Sequence, residues 1–513
     1  MKTHIRFIFA AAILLALATS CLEELPVNYK YDDYVFSGLD SEGGAWKTVL
    51  ITDPSQIEVP VPQSTSSATY QNELNAVKEA NSNLSKNQKD AIAYWTSNPI
   101  IRWNEIALEL AAKYNLIPGP NPDNTYTLPD PANPGKVPYF PFAHPPYTVR
   151  ALAYLSVAQY DGLVVGWNYK FQYNRPSPYK VDNAIVPGFT NNDVPAYPSD
   201  GAIVTAVSKT ILSAMFPLEQ AYINELAEEH LASLKWAGLN VESDVAAGTH
   251  IGSEIAKLAL ERAATDGMRS AQVPKPVSDS IKNVAYERFG WSWDNMETPQ
   301  RPVGLTPMYG NVKLWLVPNT DVVMPPPPPV PGSAEFNKHA DELKRLAKNR
   351  TESQRKIANW WNDGIGSYTP PGHWNRIAKE DIVRHQLNPL RSARIFAYLN
   401  MAMMDAGIAC WAAKYHYHYP RPVQTIPGFK TILGTPNFPA YTSGHSTFSS
   451  AAAEVLAEIF PGNADIYRKK AVEAGESRIY GGIHYRFDSE EGIKQGKAVA
   501  SYVVEAMRND GAN

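Results

Sequence analysis

Late in the chain a lysine, two arginines, two histidines and a carboxylate stand at intervals that suit the handling of an oxyanion. Lys414 is followed, after six residues, by Arg421-Pro422. Thr442-Ser443-Gly444-His445 comes next, then Ser477-Arg478, His484 and Asp488. An anion such as phosphate or vanadate needs cations to neutralise its oxygens, donors to orient them and a group to attack or ligate its central atom. Lys414, Arg421 and Arg478 supply charge, each charge-assisted hydrogen bond being worth about 1.5–3 kcal/mol. From Ser446 to Phe460, the residues Phe448, Ala452, Val455, Leu456 and Ile459 share one face at helical spacing. This predicts a helix that opens at Ser443, Gly444 and His445. A helix start offers unpaired N–H groups and the positive end of its dipole, so the Ser443 hydroxyl and the Gly444 amide join the donors. His484 and Asp488 are spaced i, i+4 and are expected on one helix, the carboxylate holding one ring nitrogen and leaving the other to attack or ligate. His445 is then available for acid–base work.

Lys-x6-Arg-Pro, Ser-Gly-His and Ser-Arg-x5-His-x3-Asp, in that order, resemble the motifs of the type 2 phosphatidic acid phosphatase and vanadium-dependent haloperoxidase superfamily, and most of all its vanadium chloroperoxidase-like bacterial members. The resemblance runs from about Ile357 to Asp488. It implies that Lys414, Arg421, Ser443, Gly444 and Arg478 bind the oxyanion, that His445 is the acid–base residue and that Asp488 orients His484. His484 would be the vanadate ligand of a haloperoxidase or the nucleophile of a phosphatase. Asp363, in WWNDG, matches an acidic residue expected to pair with an arginine. Trp411 and Phe438 resemble residues near a halide site. Thr442 stands where proline is usual and is expected to loosen the turn. The haloperoxidase reading takes vanadate as cofactor and hydrogen peroxide and halide as substrates, with Lys414 polarising the peroxide. The alternative is an acid phosphatase that needs no cofactor and hydrolyses a phosphomonoester through a phosphohistidine. His416 and His418, in YHYHY, alternate as i and i+2 and so do not share a helical face; they read as aromatic lining near the site mouth rather than metal ligands.

The elements that must position these groups read as an all-α fold of two tandem, related helix bundles, with the active site in the C-terminal one. AYLSVAQYDGLVVGWNYK (153–170) matches AYLNMAMMDAGIACWAAK (397–414), NRPSP (174–178) answers PRPVQ (420–424), and VPAYPSDG (194–201) answers FPAYTSGH (438–445). ESDVAAGTHIGSE (242–254) is aligned with ESRIYGGIHYRFD (476–488). That alignment sets Gly201 opposite His445, Asp244 opposite Arg478 and His250 opposite His484, so the first copy should bind no anion and serve as packing. The expected organisation is a lipoprotein tether and irregular lead-in over 21–65, a degenerate bundle over 66–323, a stiff polyproline connector over 324–333 and the catalytic bundle over 334–513.

MKTHIRFIFAAAILLALATSC opens with cations, an apolar run and small residues before Cys21, which reads as a signal peptide over 1–20 and resembles a bacterial lipoprotein signal with Cys21 lipidated. The protein is therefore expected to be exported and lipid-anchored, facing the periplasm or the cell surface, and to meet the membrane only through that anchor; no later segment is expected to span it. A net charge of −4 over 513 residues gives no sign of a nucleic-acid partner. Besides Cys21 only Cys410 occurs, which excludes an internal disulfide framework and a cysteine-built zinc site.

Overall fold

The computed structural model describes residues 34–123, 125–189, 193–297 and 300–512. The signal-like run and Cys21 lie outside them. Among the described residues there are fifteen helices of nine residues or more and no strand. Seven build the cores of the two halves: α1 (Pro145–Tyr173), α2 (Asp200–Met215), α3 (Glu242–Ala264), α4 (Pro389–Tyr417), α5 (Gly444–Ile459), α6 (Ala464–Gly481) and α7 (Arg486–Arg508).

The axis of the molecule is the 29-residue pair α1 and α4, packed along one another. Each begins with proline in its first turn, where a fixed φ and a missing N–H cost nothing. Each ends on a left-handed residue, Asn174 or His418, both at φ 46°. Both are apolar nearly all round because other helices cover every side. By length and composition Pro389–Thr425 is apolar enough to cross a membrane, yet 94% of its qualifying window is buried inside the protein. It is a core helix.

The same contacts recur 244 residues apart. Arg150 pairs with Asp266, and Arg394 with Asp510. Asp161 accepts the amides of Val49 and Leu50, and Asp405 those of Trp315, Leu316 and Val317. Lys170 donates to the Pro195 carbonyl, and Lys414 to that of Pro439. The Ser199 amide donates to the Asp244 carbonyl, and the Ser443 amide to that of Asp488. This spacing corrects the alignment of the last segment, which had been set ten residues short. Asp244 corresponds to Asp488 rather than Arg478, the position of His484 is held by Asn240, and that of Arg478 by Leu234. The helix-packing glycines decide the register: Gly248 and Gly252 of α3 lie against the Ser199 and Ile203 carbonyls, as Gly492 and Gly496 of α7 lie against those of Ser443 and Thr447.

Two irregular stretches are also packed down. Residues 34–65 are irregular but no tether: Tyr34, Trp46, Ile51 and Ile57 are buried, and Asp161 grips the chain at Val49 and Leu50. The polyproline run is no free spacer either. The hydroxyls of Tyr417, Tyr441 and Tyr419 donate to the carbonyls of Pro325, Pro326 and Pro329, strapping the run to the second half. Proline carbonyls are good partners here because an extended proline run has no hydrogen bonds of its own.

A Cβ on Gly496 would lie 2.3 Å from the Thr447 carbonyl oxygen, whereas one on Gly119 would meet nothing within 4 Å. Gly496→Ala is expected to cost about 1–3 kcal/mol and lower the melting temperature by about 1–3 °C. Gly119→Ala should leave it within about half a degree, read by calorimetry on both variants.

Candidate active site

Helix α5 opens on Ser443, whose Oγ accepts the Ser446 amide at 3.4 Å and so keeps its own proton available. The first N–H groups of a helix have no intrahelical partner, and Gly444 and His445 occupy those positions. A Cβ on Gly444 would meet nothing nearer than 3.9 Å, so the glycine leaves room in front of the helix start rather than relieving a clash. Thr442 is not loose, contrary to expectation. It is buried, with Oγ1 donating to Gln495 at 2.7 Å.

Helix α7 packs against α5 and brings Asp488 beneath this start. His484 lies just before α7, not on it. Its contact with Asp488 therefore spans the helix opening, where Asp488 Oδ2 caps the Tyr485 amide at 3.1 Å and accepts His484 Nδ1–H at 2.8 Å. With the proton on Nδ1, His484 presents an unprotonated Nε2, which accepts Arg421 at 3.0 Å. Burial, followed by the charges of Arg421, Lys414 and Arg478, holds the His484 pKa well below its ordinary value, so the ring is neutral.

The three expected cations meet here, each at most 1% exposed. Lys414, in the last turn of α4, donates to the carbonyls of Pro439, Ala440 and Thr442 at 2.9, 2.9 and 2.5 Å. All three of its protons are engaged, so as it stands it contributes charge rather than a free donor. Burial pulls its pKa down to about 7. Arg421 is fixed by the carbonyls of Phe438 and Ile483. Arg478, from the end of α6, is fixed by the Trp361 carbonyl. Burial draws the two guanidiniums down to about 9 and about 10. Buried charge lacking full compensation is costly, and an anion would relieve it.

His445 Nε2 accepts Arg478 at 2.9 Å and lies 3.6 Å from Asp363 Oδ2. Burial, then the Arg478 charge, pushes its pKa down to about 4, against the pull of Asp363. Asp363 departs from expectation. Its direct partners are histidines rather than an arginine: besides His445, both its oxygens take His373 Nδ1, at 3.0 and 3.2 Å. Those contacts hold its carboxyl down to about 2 despite burial. Asp363 sits at φ 45°, in the loop that also supplies the Trp361 carbonyl to Arg478. His373 was not foreseen. It stacks on Trp361, ring centroids 4.3 Å apart, and its ten-residue distance from Asp363 follows no motif.

Trp411 and Phe438 form one wall, their rings 4.9 Å apart. Phe438 covers both Lys414 and Arg421, at 5.0 and 5.2 Å from its centroid. His418 is turned away from any metal role, its Nδ1 accepting the Trp293 amide at 3.0 Å, and His416 meets Phe289 edge-on.

In the first half the equivalent space has shrunk to about 40 Å³. Leu234 lies against Gly201, where an added Cβ would be 2.6 Å from it; Asn240 spends its side chain on Ser199 and the Ala196 carbonyl; and Arg175 is neutralised by Asp244. The expectation that this copy binds no anion thus has a different physical reason from a misplaced Asp244: the space is nearly closed and the Arg175 charge is cancelled.

An oxyanion such as vanadate fits the second-half cup. Arg478 Nε is a buried donor with no partner, His484 Nε2 is neutral, and no atom crowds the Cβ position of Gly444. The donors are nitrogens and one hydroxyl, as an anion requires.

Comparison with known proteins accords with this geometry. Residues 394–432 and 465–510 match the family model of the VCPO second helical-bundle domain. The vanadium chloroperoxidase of Curvularia inaequalis is 24% identical over 204 residues, 32% of this chain and 34% of that enzyme, so the match spans about a third of the relative. A non-specific acid phosphatase of Providencia stuartii is 29% identical over 197 residues, 37% of this chain and 73% of the phosphatase. Among solved structures, a bacterial vanadium-dependent iodoperoxidase superposes with a TM-score of 0.55 at 23% identity, covering 70% of this chain and 91% of that one. A bacterial vanadium-dependent chloroperoxidase does so at 0.51 and 14%, covering 75% and 97%. Fold, motif order and relatives converge in support of the superfamily that joins type 2 phosphatidic acid phosphatases and vanadium-dependent haloperoxidases.

Proposed function

We propose that the protein is a vanadium-dependent haloperoxidase, converting halide, hydrogen peroxide and a proton into hypohalous acid and water. The observation that carries the reading is the Trp411–Phe438 wall laid over Lys414 and Arg421, which gives the cationic cup one dry, aromatic side. A soft halide ion can lose water there, and a phosphoester needs no such wall. Vanadate, when bound, makes peroxide electrophilic toward halide without changing its own oxidation state.

The chain's residues do the rest. Arg421, Arg478, the Ser443 hydroxyl and the Gly444 amide hold the oxyanion. Asp488 keeps the Nδ1 proton on His484, so that Nε2 faces the anion as a neutral ligand. Arg421 and Arg478 rest on His484 and His445, and each can hand its N–H to an anion oxygen and free the ring nitrogen. His445 takes or returns a proton at Nε2, with Asp363 and His373 setting its orientation. Lys414 makes the potential of the whole cup more positive from behind its carbonyl cage.

A second reading rests on the same neutral His484. As an acid phosphatase, the protein would use Nε2 to attack phosphorus, His445 to protonate the leaving oxygen, and a water activated by His445 to release phosphate. The Providencia stuartii relative supports it over the second half.

Vanadate-loaded protein given peroxide is expected to oxidise iodide, bromide or chloride, and His484→Ala to lose about 10²–10⁴ of that rate. Hydrolysis of a chromogenic phosphomonoester that vanadate inhibits, without halide oxidation, would select the phosphatase instead.

The pH profile tests His445. Its neutral form is the base, so kcat/KM should fall as pH drops through about 4. Asp363 favours the charged ring, so Asp363→Asn should move that limb to still lower pH while reducing the plateau. A limb that stays in place in Asp363→Asn would assign it to another group.

A further inference from the structure

A second cavity, of about 670 Å³, lies outside the cup, between the N-terminal end of α1, the C-terminal ends of α2 and α3 and the irregular stretches that follow. Its volume suits an organic molecule of two or three rings. Phe140, Phe142, Tyr147, Met215, Leu260 and Val303 give it an apolar body. Its charged lining is of one sign: Arg150, Arg269, Lys275 and Arg301 reach it, and no aspartate or glutamate does. Asp266, Asp279 and Glu297 pair with three of these cations but do not line the space.

Several polar groups converge there. The NH1 group of Arg150 has a thioether partner, Met215 Sδ at 3.5 Å, a weak acceptor. Ser213 Oγ and Thr306 Oγ1 are buried and without a partner. A buried donor left in that condition costs about 1–3 kcal/mol, which a ligand oxygen would recover. The counterpart position in the second half shows the contrast. Its cavity is only about 310 Å³, although Arg394 is anchored much as Arg150 is, on Nε by an aspartate and on Nη2 by a backbone carbonyl. The first-half chamber is about twice the size of its counterpart. A thin partition separates it from the cup: the Leu305 carbonyl accepts Trp411 Nε1 and the Tyr415 hydroxyl, and the Leu305 amide donates to Asn437, next to Phe438.

We propose that this chamber binds an apolar organic carboxylate, its rings among the aromatic and aliphatic side chains and its carboxylate toward Arg150, Ser213 and Thr306. The site is separate from the oxyanion cup and does not depend on which reaction the cup performs.

The probe is 2-naphthoate, with 2-naphthalenemethanol as its uncharged counterpart, titrated calorimetrically into the purified full chain. Naphthoate should bind at least tenfold more tightly than the alcohol. Ala264→Trp, which fills the chamber, should weaken naphthoate at least tenfold, and Thr306→Val and Arg301→Gln should each narrow the preference for the anion several-fold. Saturating orthophosphate, which occupies the cup, should leave naphthoate binding unchanged. Equal affinity for acid and alcohol, indifference to Ala264→Trp in a variant with unaltered melting temperature, or displacement by phosphate would each overturn the proposal.

Discussion

Burying three cations beside one another is the constraint on which the second half of this protein depends. Lys414, Arg421 and Arg478 come from three separate elements, and each is caged by backbone carbonyls rather than by carboxylates of its own. Carbonyl dipoles orient a cation without cancelling its charge. The cup therefore stays positive, and the two carboxylates present, Asp363 and Asp488, are spent on histidine rings. Had either arginine been given a full carboxylate partner, the site would resemble the first half, where Asp244 neutralises Arg175.

That arrangement needs α5 and α7 to approach closely, because the Ser443 amide is anchored on the Asp488 carbonyl and His484 must emerge directly before α7. Gly492 and Gly496 permit the approach. The first half makes the same approach with Gly248 and Gly252, yet it has exchanged the chemistry for Leu234, Asn240 and Gly201. The scaffold and the site are thus separable: helix packing needs small residues at fixed places, and the chemistry needs a handful of side chains laid over them.

Much of this was legible in the sequence, and for stated reasons. Lys414, Arg421, Ser443, Gly444, His445, Arg478, His484 and Asp488 stand in three short motifs whose spacing follows from helix ends and turns, and the structure gathers all of them. Trp411 and Phe438 are one such turn away and also arrive. Asp363 was visible as an acid, but its partners were not, because His373 reaches it through the stacking of two rings and no periodicity encodes that. The helical class was plain from repeated apolar faces. The register of the last repeat was misread because the local likeness of ESD to ESR outweighed the glycine spacing, which has meaning only once two helices touch. The packed lead-in and the proline strap were missed because irregular chain carries no period; what binds it are single groups, Asp161 and three tyrosine hydroxyls.

Asp405 has a further consequence. It sits midway along a helix whose hydropathy alone would suit a bilayer, and it is buried, with three backbone amides as its partners. In lipid those amides would be absent, and a carboxylate at mid-helix costs about 2.5–3.5 kcal/mol on insertion. The residue that ties the passing chain to α4 therefore also decides which solvent α4 accepts. It makes the protein interior, and not the membrane, the place where this helix can be at rest.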